Sequence, residues 1–82
     1  MQDLKFSTYE EDELLEKVYN IGKNIRNLRL EQGYTVFQLA QKANMDTAHL
    51  SKIETGKTRI GMVSLLRIIS ALNVSVDELI NN

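Results

Sequence analysis

Apolar residues recur along this chain at spacings of three and four, and no stretch alternates apolar with polar over strand length. That periodicity predicts helices and no sheet. Ile21, Ile25 and Leu28 line one face of a helix over residues 21–32. Leu39, Ala40 and Ala43 line a second over 36–43, and Leu50 and Ile53 a third over 47–55. Leu65, Leu66, Ile69 and Leu72 are expected to face inward from a fourth over 62–72, and Leu79 and Ile80 from a fifth over 76–80. The fold class this implies is all-α.

Polar residues punctuate the same pattern. Thr35, Asp46 and Ser75 each stand where a helix begins, between an apolar residue before and another four positions into the helix. The pairs Tyr34 and Leu39, Met45 and Leu50, and Val74 and Leu79 are spaced to staple the chain entry. Gln38 and Glu78 add the third-position partner of a capping box at Thr35 and Ser75. Asp46 is expected to cap its helix through its side chain, a bond of roughly 1 kcal/mol. The helices should stop at Gly33, Asn44, Gly56 and Asn73, residue types that tolerate the left-handed conformation beyond a last turn.

Residues 1–20 read as an N-terminal helical extension of the domain formed by 21–82. Ser7 or Thr8 is a candidate cap, with Glu10 or Glu11 as its partner. Leu14, Val18, Ile21, Ile25 and Leu28 step by 4, 3, 4 and 3, a heptad-like seam that crosses Asn20 and Gly22 in phase. The pattern fits either one continuous helix or a break at residues 20–22, since an interior Gly costs ~1 kcal/mol against Ala. Leu14, Leu15, Val18 and Tyr19 form an apolar set that either folds back on the core or pairs with a second chain, and they are the candidate dimerisation residues.

Composition narrows the class. Eighty-two residues form one core. The absence of Cys excludes a disulfide framework and a thiolate metal site. No apolar run approaches the ~20 residues that span a bilayer, and the first residues lack a secretory pattern. The reading is a soluble, intracellular protein with no membrane partner, no metal and no cofactor. The net charge of −1 is unevenly spread. Residues 1–20 hold six acidic against two basic residues, whereas residues 21–82 hold eight basic against five acidic. The run from Glu10 to Glu13 reads as the first turn of a helix, favoured by its dipole.

The segment 36–55 carries the chemistry. Two short helices joined at Asn44–Asp46 make a helix-turn-helix if three conditions hold. Ala40 allows close approach where the helices cross, Asn44 supplies a positive φ, and Leu50 and Ile53 anchor the second helix. The opposite face is then Thr47, Ala48, Ser51, Lys52 and Thr55, side chains suited to a major groove ~12 Å wide.

The ordered segments "LAQKAN", "LSKIETGK" and "LLRIISALNVSVDELI" resemble the phage-repressor/Cro-like helix-turn-helix domain of the XRE family. The resemblance covers residues 21–80 and implies a five-helix, lambda-repressor-like fold. It implies a DNA-binding transcriptional regulator, a repressor acting as a homodimer on a palindromic operator in double-stranded DNA. It also implies a cytoplasmic, nucleoid-associated protein of prokaryotic or phage type. By position, Thr47, Ala48 and Lys52 match base-contacting residues, with Ser51 at the edge of that surface. Lys57, Thr58 and Arg59 match a phosphate-touching loop with Thr55 beside it, and Thr35 and Val36 a phosphate-facing helix start. Arg29 and Glu54 match an ion pair that holds the reading helix in place.

Three residues depart from the family pattern. Val36 stands where Gln is common, Ile60 where Pro is common, and Asp46 where a neutral cap is usual, adding negative charge near the DNA. Lys23, Lys42 and Arg67 read as ordinary solvated cations, and His49 as a solvent-facing side chain or a phosphate contact. Enzyme readings lack parts. "ETGKT" resembles the end of a P-loop, but it follows a helix and Ser51 stands where the first Gly is required. One His without partners makes no triad. The alternative is an antitoxin-like or other protein-interaction module on the same fold, holding a protein partner through residues 1–20.

Overall fold

A computed structural model describes the backbone of residues 2–81 and the side chains of residues 12–81. Five helices follow one another: α1 (Gln2–Glu31), α2 (Val36–Lys42), α3 (Thr47–Glu54), α4 (Met62–Leu72) and α5 (Val76–Ile80), with no strand among the described residues. The all-α expectation holds, and each predicted core helix lies within a residue of its observed bounds at both ends, save that α1 begins far earlier.

The N-terminal extension and the first core helix are one unbroken helix of 30 residues. The alternative of a break at residues 20–22 is therefore excluded. Ser7 and Thr8 lie inside that helix rather than at its start, and their side chains, with those of Glu10 and Glu11, lie outside the described residues. The reason Gly22 does not break α1 is packing. A Cβ there would stand 2.1 Å from the carbonyl oxygen of Ile53, so glycine alone lets α1 lie this close to α3. Of the described helices, none is long and apolar enough to cross a membrane.

The caps act where the sequence puts them, with one exception. Thr35 and Ser75 form full capping boxes: each hydroxyl accepts from the backbone N–H three residues on, and Gln38 and Glu78 accept from the cap residue's own N–H. Asp46 occupies the cap position of α3, but its side chain accepts no cap hydrogen bond. It is exposed, and water competes for an exposed carboxylate at little net cost.

Four helices close alike. Beyond α1, the N–H of Gly33 donates to the Leu30 carbonyl at 3.0 Å and that of Tyr34 to Arg29 at 3.0 Å. Asn44 and Met45 repeat this pair of bonds after α2, Gly56 and Lys57 after α3, and Asn73 and Val74 after α4. The pattern requires a left-handed residue in the turn, and Asn44 (φ 54°) and Asn73 (φ 56°) take that role beside the two glycines.

The core is built from Ile21, Ile25, Leu39, Ala40, Ala43, Leu50, Ile53, Ile68, Ala71, Leu72 and Leu79. Tyr34, Met45 and Val74, the three outer staple residues, pack against it. Leu66 corrects the expectation for α4: it is 56% exposed, and Ile68 is fully buried in its place. Four apolar residues in five (Leu65, Leu66, Ile68, Ile69) leave the phase of the helix undetermined until Ala71 and Leu72 fix which stripe meets the core. One amide within α1 and one just beyond its end fasten the C-terminal half. Asn24, itself buried, donates to the Leu79 carbonyl at 2.6 Å, and Gln32 to that of Leu72 at 2.8 Å.

Candidate nucleic-acid interface

Helix α3 is seated from beneath and at its C-terminal end. Leu50 and Ile53 are 0% and 2% exposed and point into the core. At its C-terminal end the Arg29 guanidinium grips Glu54 bidentately, Nε donating to Oε2 at 2.8 Å and Nη2 to Oε1 at 2.9 Å. The third nitrogen, Nη1, donates to the Tyr34 carbonyl at 2.8 Å, immediately before the Thr35 cap. One side chain thus ties the end of α1 to the end of α3 and the start of α2. Hydrogen bonds to Glu54, and its charge, raise the Arg29 guanidinium above its ordinary value, against burial, which lowers it. The pair is buried, so its two charges compensate each other where water cannot.

The outward face of α3 follows from that seating. Ala48, Ser51, Lys52 and Thr55 are exposed and Thr47 is half-buried at the helix start. Thr55 Oγ1 donates to the Ser51 carbonyl at 2.9 Å. Beyond it, the N–H of Lys57 donates to the Lys52 carbonyl at 2.9 Å, and that of Gly56 (φ 76°) to Ile53 at 3.2 Å. The basic loop is therefore fixed to the helix end by its backbone, leaving the side chains of Lys57 and Arg59 exposed and Thr58 half-buried. The Tyr19 ring lies beside Gly56, its Cδ1 3.7 Å from where a Cβ on that residue would stand.

The start of α2 offers less than its two named residues suggest. Val36 packs against the core, so its side chain is turned away from any ligand. The capping box consumes the N–H groups of Thr35 and Gln38, leaving those of Val36 and Phe37 among the free N–H groups of the first turn.

A helix-turn-helix family model matches residues 25–79. The chain belongs to the helix-turn-helix family. This is the family that the motifs in residues 21–80 resemble. Among its relatives are the HTH-type transcriptional regulators SinR of Bacillus licheniformis, 39% identical over 62 residues, and of Bacillus subtilis, 37% identical over 62 residues. Each alignment takes in 74% of this chain and 56% of the relative, so the chain spans little more than half the length of these proteins. Among solved structures, the restriction-modification controller protein C.AhdI from Aeromonas hydrophila superposes with a TM-score of 0.72 at 26% identity, over 78% of this chain and 96% of that one. The clp gene regulator ClgR from C. glutamicum gives 0.72 at 25% identity, over 77% and 82%.

Three residues of the site escaped the sequence pattern. Gly22 read as a cost to α1, although it is the contact point with α3. Arg26 carries no signal in the sequence and Lys23 reads as an ordinary cation, yet both line a groove with Asn27, Glu54 and Thr55. Helical spacing places Lys23 and Arg26 on one face, but no local signal tells which helix end that face meets. His49 is exposed with Nε2 3.5 Å from Ser64 Oγ. Lys42 donates to the Tyr34 hydroxyl at 2.7 Å, and Arg67 to the Asn44 carbonyl, so both are engaged at home.

Proposed function

We propose that this chain is a sequence-specific DNA-binding transcriptional regulator, a repressor that acts as a homodimer on a palindromic operator. The observation that carries the reading is the division of α3: Leu50 and Ile53 are buried while Ala48, Ser51 and Lys52 are exposed on the other side, with Thr47 at the edge. A helix so divided enters a major groove with its outward face toward base edges. There Lys52 donates to guanine O6 and N7, and the methyls of Thr47 and Ala48 meet a thymine methyl. Lys57, Thr58 and Arg59 meet phosphates, as do the free N–H groups at Val36 and Phe37. That the SinR relatives are transcriptional regulators supports this reading.

The dimer rests on α1. Leu14 is 60% exposed, Tyr19 is exposed, and Leu15 and Val18 are half-buried. Packing within the chain leaves Leu14 and Tyr19 exposed and Leu15 and Val18 only half-covered, which favours a second copy, each bringing one α3 to grooves ~34 Å apart. The same observation favours a second reading, a module that holds another protein through this helix.

The test is selection of bound sequences from a random duplex pool. Lys52→Ala should alter the selected bases, whereas Lys57→Ala should weaken binding to all duplexes alike. An intact chain that shows no salt-dependent duplex binding at low ionic strength ends the DNA reading. Sedimentation of Leu14→Glu tests the dimer: a variant as dimeric as the parent removes α1 from that role.

A further inference from the structure

We propose that the groove between the C-terminal third of α1 and the end of α3 seats one phosphate of the DNA backbone, held by Lys23 and Arg26, in addition to the phosphates met by the Lys57–Arg59 loop. The inference rests on the DNA-binding reading and names a further contact for it.

The groove is lined by Lys23, Arg26, Asn27, Glu54 and Thr55. Lys23 and Arg26 are three residues apart on α1, hence on one face, and both are exposed. Glu54 is the acid of this lining, and both its oxygens are occupied by Arg29, which cancels its charge. The only ion pair among the described residues is that one, so Lys23 and Arg26 pair with no described carboxylate. The groove therefore presents two uncompensated cations and the Asn27 amide, with the Thr55 hydroxyl committed to the Ser51 carbonyl. An anion with several acceptor oxygens matches this set, and the guanidinium fork suits phosphate.

Position supplies the rest of the argument. Lys23 follows Gly22, a point of close backbone approach between α1 and α3, so both cations are held at a fixed offset from the reading helix. Lys57, in the phosphate-facing loop, follows Thr55 by two residues, which puts the groove next to backbone already within reach of that loop. A purely structural role for the two cations would be to complement the negative end of α3, and the experiment separates the roles.

Full-length protein, a Lys23→Ala/Arg26→Ala variant and a charge-keeping Lys23→Arg/Arg26→Lys variant are titrated with selected and random duplexes over a range of salt. Phosphate-ethylation interference and thermal melting run in parallel. The alanine variant should weaken binding to both duplexes by a similar factor and lower the salt slope by about 0.9, one phosphate. It should also lose one interfering phosphate per half-site, and the charge-keeping variant should keep both. An unchanged slope and interference pattern overturns the proposal, and a lower melting temperature with unchanged binding assigns the cations to α3 alone. If the parent protein binds no duplex, the DNA reading itself fails, a result distinct from a parent that binds and a variant that binds equally well.

Discussion

Gly22 and Ile53 meet backbone to backbone, so that a single methyl added to Gly22 would stand 2.1 Å from the Ile53 carbonyl oxygen. In an isolated helix Gly→Ala is favourable by about 1 kcal/mol. Here the sign should reverse. The clash is with main chain, which cannot swing aside as a side chain does, and α1 and α3 must separate to relieve it. Gly22→Ala is expected to destabilise the domain by about 1–3 kcal/mol, the range for overpacking. Urea denaturation reads this directly, and a variant as stable as the parent would refute the contact.

Arg29 and Glu54 should behave as a pair. Removing either partner strands the other's charge in a buried site, at about 3–5 kcal/mol. Arg29→Lys should recover little, because an ammonium cannot reproduce two parallel bonds to the carboxylate plus a third to Tyr34. Since the folded state holds the guanidinium above its ordinary value, its contribution is complete below that value and fades only as pH climbs through the folded one, in strong alkali. The stability gap between parent and Arg29→Met, measured in urea, should therefore stay level between about pH 6 and pH 9.

The caps at Ser75 and Asp46 should separate under alanine substitution. Ser75→Ala removes the hydroxyl side of a capping box and should cost about 1 kcal/mol. Asp46→Ala removes no cap bond and should fall within about 0.5 kcal/mol of neutral, as surface changes do. A loss of 1 kcal/mol or so at Asp46 would mean that its carboxylate caps α3 in solution.

Ile68 and Leu66 invert the ranking that the α4 spacing suggests. Ile68→Ala should cost about 2–5 kcal/mol, whereas Leu66→Ala, on an exposed face, should stay within about 0.5 kcal/mol. Melting curves of the two single variants decide the matter.

What could be read in advance was local. Thr35 with Gln38, Ser75 with Glu78, and Asn44 and Asn73 in their turns each state their role within a few residues of chain, and the helix bounds followed from them. The face of α3 was legible for the same reason, since Leu50 and Ile53 sit one turn apart and fix its phase. What stayed hidden depends on which elements meet. The need for a glycine at residue 22 exists only because the Ile53 carbonyl arrives there from another helix. The setting of Lys23 and Arg26 exists only because α3 ends beside them, and the phase of α4 is set by neighbours that its own sequence does not name.

The unbroken run of α1 has a mechanical corollary. The rod that offers Leu14 at one end carries Gly22 and Arg29 toward the other, and those two residues are where α3 is braced. Whatever grasps the acidic front half of that rod would take hold of a lever, with its fulcrum at Gly22, whose short arm is the mounting of α3.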